Sequence, residues 1–426
     1  MGLPWVVDAI TERRETIPDA LWRREKKMDR SRVVGAIVVA GVAAGSLMAA
    51  PAAQAKSTWG SSQQVSSKMG WSINVSDDGQ VASWVRANRS DGLGPVRTAY
   101  YRSAKKGWTS SAEVTGTVGT RDSQMSTDGN YVLANVPGTG YVMAQRANKN
   151  TWGAAATIAA GQYLGLAQMS ADGNSIVYGE FTTPGATPAV PGSLKYITRA
   201  PGGAWSAPVV IGALNDDAYY AVRAEYVSMS RDGGTVTWLD DTWALRASSK
   251  QPDGTWSAPV LLKQFVENPY IQDMSLSSDG TRLAWMYSYD QDGVITATRS
   301  GTTWTAPTYV TADGVEAMAL SPNGNVVAYA SQDDDLIVKN WNGTAWGKAK
   351  VMGSVKAYGT DIALTNKTLA WTYNIDKQLR ASIYKSGKWQ SSVKLANNAV
   401  APAVNTNGKT VLWASIGAKK VYSKKR

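Results

Sequence analysis

The sequence predicts an all-β chain closed into a ring of four-stranded blades, a β-propeller. Three observations predict it: a Ser-x-Asp-Gly element that recurs at even intervals, a tryptophan-led strand that alternates with it, and an unpaired strand near the start that complements an incomplete unit at the end. The 40 Gly, 18 Trp and 19 Tyr beside 2 Phe suit short strands with amphipathic aromatics and tight turns. The chain has 0 His and 0 Cys, which excludes Ser-His and Cys-His catalysis, His-ligated metals, disulfides and zinc-thiolate sites.

The first element reads SDDGQVASW (76–84), STDGNYVLA (126–134), SADGNSIVY (170–178), SRDGGTVTW (230–238), SSDGTRLAW (277–285) and SPNGNVVAY (321–329). It continues as the degenerate ALTNKTLAW (363–371) and as NTNGKTVLW (405–413). An apolar residue precedes every copy: Val75, Met125, Met169, Met229, Leu276, Leu320, Ile362 and Val404. Asn366 stands where the others have glycine and is expected to take the same positive φ. The second element begins at Trp59, Trp108, Trp152, Trp205, Trp256, Trp304, Trp346 and Trp389, often as W-[ST]-A-P. Between the two lies another alternating strand, such as VITATRS (294–300). One unit is therefore strand, Ser-x-Asp-Gly turn, strand, loop, strand, basic turn, Trp strand, repeating every ~46 residues.

The last unit (400–423) lacks a Trp strand, and WGSSQQV (59–65) supplies one. The N-terminal strand is expected to pair with the last blade and shut the ring, which removes the open sheet edges. The count is eight blades, or seven if the unit around 363–371 is not a true blade.

Residues 33–50 are an uncharged apolar run, preceded by Arg23, Arg24, Lys26, Lys27, Arg30 and Arg32 and followed by Ala53-Gln54-Ala55. Basic, apolar and small-x-small segments in that order describe a secretory signal peptide, with Met28 an ordinary place for it to start. An uncleaved anchor is the alternative reading of the same run. Residues 1–55 are read as leader and 56–426 as a single propeller domain, exported to the extracellular space or cell envelope, monomeric, with no stable membrane insertion after cleavage. Export without disulfides suits a bacterial source.

The S-x-D-G-x-x-V-x-W pattern resembles the WD40-like Asp-Gly repeat of TolB-type β-propellers, over nearly all of 59–423. The resemblance implies the fold. It implies no single activity, because that repeat serves scaffolds, lectins and peptidase-associated domains alike. The sialidase Asp-box, S-x-D-x-G-x-x-W, is not matched, since Asp and Gly are adjacent here.

Residues demanded once per blade are read as structural. Trp84, Trp238, Trp285, Trp371 and Trp413, with the strand-opening tryptophans, are expected to fill the wedges between sheets. Asp78, Asp128, Asp172, Asp232 and Asp279 are expected to bond their own turns. Function is then sought in what does not repeat. Antiparallel geometry puts the Ser-x-Asp-Gly turns and the basic turns on one face and the other loops on the opposite face. Those other loops hold Asp240, Asp241, Asp333, Asp334, Asp335 and Asp376. They also hold the candidate ligand-binding residues Trp71, Tyr163, Tyr219, Tyr220, Tyr270, Tyr358, Asp290 and Asp292. Flat rings beside carboxylates suit a glycan: rings stack on sugar faces and carboxylates accept hydroxyl bonds.

Asp290-Gln-Asp-Gly293 begins like a calcium loop but lacks its bidentate Glu, so no metal or cofactor is assigned. The net charge of +11 is expressed in basic turns containing Arg102, Lys105, Lys106, Arg146, Lys149, Arg199, Lys250, Arg299, Lys385 and Lys388. With no nucleic-acid motif in the chain, this face is expected to give only salt-dependent, nonspecific adhesion. No nucleophile elbow or phosphate loop is present, and no catalytic residue is assigned. The functional expectation is a non-catalytic module for a glycan or envelope polymer. The alternative is a scaffold for another extracellular protein, and a third is a carboxylate-based glycoside hydrolase or lyase.

If the leader reading holds, N-terminal sequencing of the exported protein finds Lys56 at or next to its start. A product that begins at Met1 or Met28 contradicts it.

Overall fold

The computed structural model describes residues 59–426 apart from 87–92, 121, 162–163, 182–189, 215–226, 267–270, 288–292, 356–359 and 374–376. The leader assigned to 1–55 lies outside the described residues. Among the described residues there is no helix, and the strands form eight antiparallel sheets. The inner strands of blades 1 to 8 are Gly70–Val75, Ser123–Met125, Leu164–Met169, Val227–Met229, Ile271–Leu276, Val315–Leu320, Ile362–Leu364 and Ala399–Val404. Each neighbours the next, and the eighth neighbours the first, so the sheets form a closed eight-bladed propeller.

The degenerate unit is a complete blade, running from Ile362–Leu364 through Thr368–Tyr373 and Gln378–Lys385 to Val393–Ala396. Its turn is two residues shorter than the others. Thr365 takes the place of the buried serine and receives the N–H of Thr368 at 3.0 Å. Asn366 does not take the glycine position expected of it: its φ is not positive. Deleting two residues from the turn removes the left-handed step.

Closure follows the expected route. Gln63–Ser66 pairs antiparallel with Lys420–Lys425 in the register Gln63↔Ser423 and Gln64↔Tyr422. The Gly60 N–H adds a bond of 2.8 Å to Lys425 O. Trp59 is buried against blade 8.

The W-[ST]-A-P signature has a backbone explanation. After each opening tryptophan the next residue donates its N–H to the third strand, as in Thr109 to Tyr100 O at 2.8 Å and Ser257 to Ser249 O at 2.9 Å. Where that residue is Ser or Thr, its hydroxyl also accepts a third-strand N–H: Tyr100 to Thr109 Oγ1 at 2.9 Å, Ser249 to Ser257 Oγ at 3.1 Å, Thr298 to Thr305 Oγ1 at 3.0 Å. The hydroxyl replaces a ladder partner where the strand bulges. The proline that follows cannot donate, and the outer strand resumes directly after it at Val209, Val260 and Thr308.

The two tryptophan sets differ in burial. Trp84, Trp238, Trp285 and Trp371 are 0% exposed and Trp413 2%. Of the opening set, only Trp59, Trp108 and Trp389 are buried, while Trp152, Trp205, Trp256, Trp304 and Trp346 are half-buried. The opening rings clasp the blade before them: Trp108 Nε1 donates to Ser423 Oγ at 2.8 Å, and Trp256 meets Tyr196 edge-on at 4.8 Å.

Trp285→Ala is therefore expected to cost about 3–5 kcal/mol, the range for a large aromatic removed from a core. Trp71→Ala removes a half-buried ring and is expected to cost less than half as much. Chemical denaturation of the two variants checks this, and equal losses contradict it.

Candidate functional site

Every Ser-x-Asp-Gly turn is built the same way. In blade 5, Ser277 Oγ donates to Asp279 Oδ1 at 2.7 Å, while Asp279 Oδ1 accepts the Thr281 N–H at 3.0 Å. Ser277 Oγ in turn accepts the Arg282 N–H at 2.9 Å. The serine lies buried under its turn, and the glycine that follows Asp or Asn has φ between 66° and 72° in all seven blades that keep it. The repeated aspartates are turn acceptors, as their periodicity implied.

The turns also bond to one another around the axis. The residue between Ser and Asp donates its N–H to the carbonyl of the same position in the next blade: Asp77 to Thr127 at 2.6 Å, Thr127 to Ala171 at 2.7 Å, Ala171 to Arg231 at 2.6 Å, Arg231 to Ser278 at 3.0 Å, Ser278 to Pro322 at 2.6 Å. Pro322 has no N–H, and the relay passes through Asn323, whose N–H reaches Asn366 Oδ1 at 2.9 Å. Asn405 and Asn407 of blade 8 close onto Asp77 O with their side-chain amides at 2.8 and 3.0 Å.

Arg231 then crosses this ring. Its guanidinium, from blade 4, donates to Thr406 Oγ1 of blade 8 at 2.7 Å and to both carboxylate oxygens of Asp77 of blade 1 at 3.2 Å. Thr406 Oγ1 donates to the same carboxylate. Blades 4 and 8 are diametrically opposed, so the side chain spans the mouth of the channel. The S-x-D-G end is ringed by backbone hydrogen bonds and crossed by an ion pair. Sequence reasoning missed Arg231 because it occupies a variable position of the repeat, and a lone arginine at that position was the available signal.

The candidate ligand residues are expected on the opposite face. Tyr163, Tyr219, Tyr220, Tyr270, Tyr358, Asp290 and Asp292 lie outside the described residues. Trp71 is described: it sits second in the inner strand of blade 1, half-buried against the cluster of Val85, Val96, Val114 and Val132 between blades 1 and 2. Of the loop acids, Asp376 is also outside the described residues. Asp240 is buried and used locally. Its Oδ1 accepts the N–H groups of Thr242 and Ala244 at 2.8 and 2.9 Å, and its Oδ2 pairs with Arg246. Burial pushes this carboxyl up, but the Arg246 and turn donors outweigh it and hold the pKa below the ordinary value. Trp243, in the same turn at φ 58°, is an aromatic the sequence reading did not select. It packs half-buried against the largest core cluster.

The basic turns divide by residue type. Arginines are tied into the S-x-D-G face. Arg146 donates to Asn130 Oδ1 at 2.7 Å, and Arg299 to Gly280 O at 3.0 Å. Arg199 lies over Tyr131 and Trp205 at 4.5 and 4.6 Å. Lys105, Lys106, Lys149, Lys385 and Lys388 are exposed.

Compared with known proteins, the sequence matches no family model and no curated protein. Solved structures share its fold. The C-terminal WD40 domain of Sif2 aligns with a TM-score of 0.53 at 12% identity, over 85% of this chain and 97% of that one. The β-propeller domain of Cps50 (Swd1) from Myceliophteria thermophila aligns at TM-score 0.42 and 8% identity, over 85% and 98% of the two chains. A provisionally assigned 6-phosphogluconolactonase from Bacteroides uniformis gives 0.45 and 17%, over 66% and 82%. At these identities the likeness is one of fold alone: the chain is an eight-bladed propeller with WD40 domains among its structural neighbours.

One lysine at the ring closure titrates in an accessible range. Lys425 Nζ donates to Gly79 O at 2.7 Å and lies over the Tyr101 ring at 3.4 Å, joining blade 8 to blade 1. Burial lowers its pKa to about 8, against a smaller opposing pull from Asp78. The unfolded chain keeps this proton up to about pH 10.4, so it binds more protons than the folded chain between pH 8 and that value. Stability contributed by this group therefore rises with pH across the window. Urea denaturation at pH 7.5, 8.5 and 9.5 should show wild type gaining on Lys425→Met, and a constant difference would mean the amine is not desolvated at the seam.

Proposed function

We propose that this chain is an exported, non-catalytic propeller that binds an extracellular or cell-envelope glycan or polymer on the face of the variable loops. The Arg231 latch carries this reading. With one end ringed by turn-to-turn hydrogen bonds and crossed by the Arg231–Asp77–Thr406 contact, the other end is the less obstructed approach to the axis. That end is framed by loops that differ between blades, where a regular scaffold builds one specific site. The bacterial source and the TolB-type character of the repeat belong to the same proposal and rest on the leader and the S-x-D-G-x-x-V-x-W pattern.

A non-catalytic role is supported by the state of three of the described carboxylates. Asp240 is held by Arg246, Glu113 pairs with Arg97 at 2.9 Å, and Glu180 pairs with Lys195. Each is neutralised where it stands, which does not suit a general acid facing a general base.

The interaction-scaffold reading has its own observation. The outer strands of blades 3 to 6 expose apolar side chains at matching positions: Val210 at 61%, Leu261 at 52%, Tyr309 at 43% and Val351 at 54%. Between the outer strands of blades 4 and 5, Leu261, Ile295, Pro307 and Tyr309 line a groove of about 430 Å³. An apolar rim on edge strands suits a protein partner.

A glycan array and a pull-down on purified cell envelopes test the two readings. Tyr219→Ala with Tyr220→Ala and Tyr270→Ala is expected to abolish retention while leaving the melting temperature within a few degrees. Leu261→Asp with Tyr309→Asp is expected to leave retention intact. The reverse pattern replaces polymer binding with the scaffold reading.

A further inference from the structure

The charge of this chain is divided along its length. Residues 59–335 carry 19 Lys+Arg and 25 Asp+Glu, whereas residues 336–426 carry 16 Lys+Arg and 2 Asp+Glu. The second stretch is the outer half of blade 6 with blades 7 and 8, so the excess falls in one sector of the ring.

In that sector and at its border in blade 6 the repeated turn loses its carboxylate and keeps its geometry. Blades 1 to 5 place Asp78, Asp128, Asp172, Asp232 and Asp279 at the acceptor position, whereas blades 6 and 8 place Asn323 and Asn407 there. Ser321 Oγ still donates to Asn323 Oδ1 at 2.8 Å, and the Lys409 N–H to Asn407 Oδ1 at 2.8 Å. The turn needs an acceptor and not a charge, so folding does not demand the loss of the anion. Lysine is added as well: the residue before the second strand is Lys367 in blade 7 and Lys409 in blade 8, where the other blades have Gln80, Asn130, Asn174, Gly234, Thr281 and Asn325.

The cations are contiguous. The Tyr384 N–H bonds Lys367 O at 2.8 Å, which sets Lys367 beside the Lys385–Lys388 turn. Thr368 Oγ1 donates to Gly408 O at 2.9 Å and joins turn 7 to turn 8. Blade 1 follows through the Trp108–Ser423 bond and brings Lys105 and Lys106. All six lysines are exposed, and none forms an ion pair among the described residues. The nearest acids are spoken for. Asp77 is held by Arg231 and Thr406, while Asp78 is bonded by Ser76 and the Gln80 N–H.

The surroundings select among polyanions. Lysines bind phosphate as compact point charges, without the planar fork that arginine offers to carboxylate and phosphate alike. The strand-opening tryptophans of this sector, Trp59, Trp108 and Trp389, are 6%, 6% and 2% exposed and offer no platform for bases. We propose that the S-x-D-G face of blades 7, 8 and 1 binds a linear phosphate-bearing polymer without bases through Lys105, Lys106, Lys367, Lys385, Lys388 and Lys409. This site lies on the face opposite the variable loops and does not depend on what they bind.

Binding of the purified full chain to inorganic polyphosphate and to poly(glycerol phosphate), measured over a range of salt concentrations, tests the proposal. Lys385→Gln with Lys388→Gln and Lys409→Gln is expected to weaken binding at least tenfold. It should also reduce the slope of log K against log salt by about two, for three lost phosphate contacts on a flexible strand. A control that removes equal charge elsewhere, Lys68→Gln with Lys263→Gln and Lys419→Gln, is expected to change affinity less than twofold. An unchanged melting temperature in both triple variants shows that folding is intact. Binding of either polymer with this pattern supports the site, and the tighter of the two identifies the source of the phosphate. Equal weakening by the two triple variants overturns it in favour of net charge, and a thymidine oligonucleotide of equal charge binding as tightly overturns it in favour of nucleic acid.

Discussion

The ring depends on one contact made between successive blades. The glycine of each Ser-x-Asp-Gly turn rests on the residue that opens the second strand of the blade before it. A Cβ at Gly280 would lie 2.4 Å from Thr235 Oγ1, at Gly173 2.5 Å from the Tyr131 ring, and at Gly129 2.9 Å from Val81. At the seam the same contact sets Gly79 on Thr410, where a Cβ would fall 2.3 Å from Oγ1. These glycines are needed twice over, for a left-handed φ and for lack of volume. The contact sets the spacing between sheets near the axis. The buried Trp84, Trp238, Trp285, Trp371 and Trp413 fill the wedges that open as the sheets diverge.

That spacing brings the turns close enough to bond to each other, and the bonds make the two ends of the channel unequal. On the S-x-D-G side the backbone runs from blade to blade as a hydrogen-bonded collar, and Arg231 ties blade 4 to blades 1 and 8 across it. An ion pair this exposed, with side chains 31% and 44% accessible, adds little stability by itself. Its consequence is geometric, because it occupies the mouth. Regularity is concentrated on the latched side and variation on the other.

The collar also frees its own chemistry to vary. Once backbone atoms and a neutral acceptor hold each turn, the carboxylate is dispensable, as Asn323 and Asn407 demonstrate. Charge on this face can then change by sector without cost to the fold. The arginines that stay are anchored to carbonyls and rings, as Arg282 is to Gly324 O at 2.8 Å and to the Trp341 ring at 4.1 Å. The exposed charge is left to lysines.

What the sequence determined by itself was whatever is required once per blade. The eight units, the four strands of each, the turn aspartates and the closing strand at Trp59 were all legible, because a repeated packing demand leaves a repeated residue. The degenerate unit was legible as a blade but not in its detail. A two-residue deletion moved Thr365, and not Asn366, into register, and only backbone geometry distinguishes the two alignments. The tertiary structure alone decided which parts of different blades meet. Arg231, Asp77 and Thr406 are separated by 154 and 175 residues and share only the variable second position of the repeated turn, which says nothing about their meeting. They converge because ring closure brings blade 8 beside blade 1 and sets blade 4 across the axis from them. Contacts across a channel depend on the curvature of the whole ring, which no local pattern encodes.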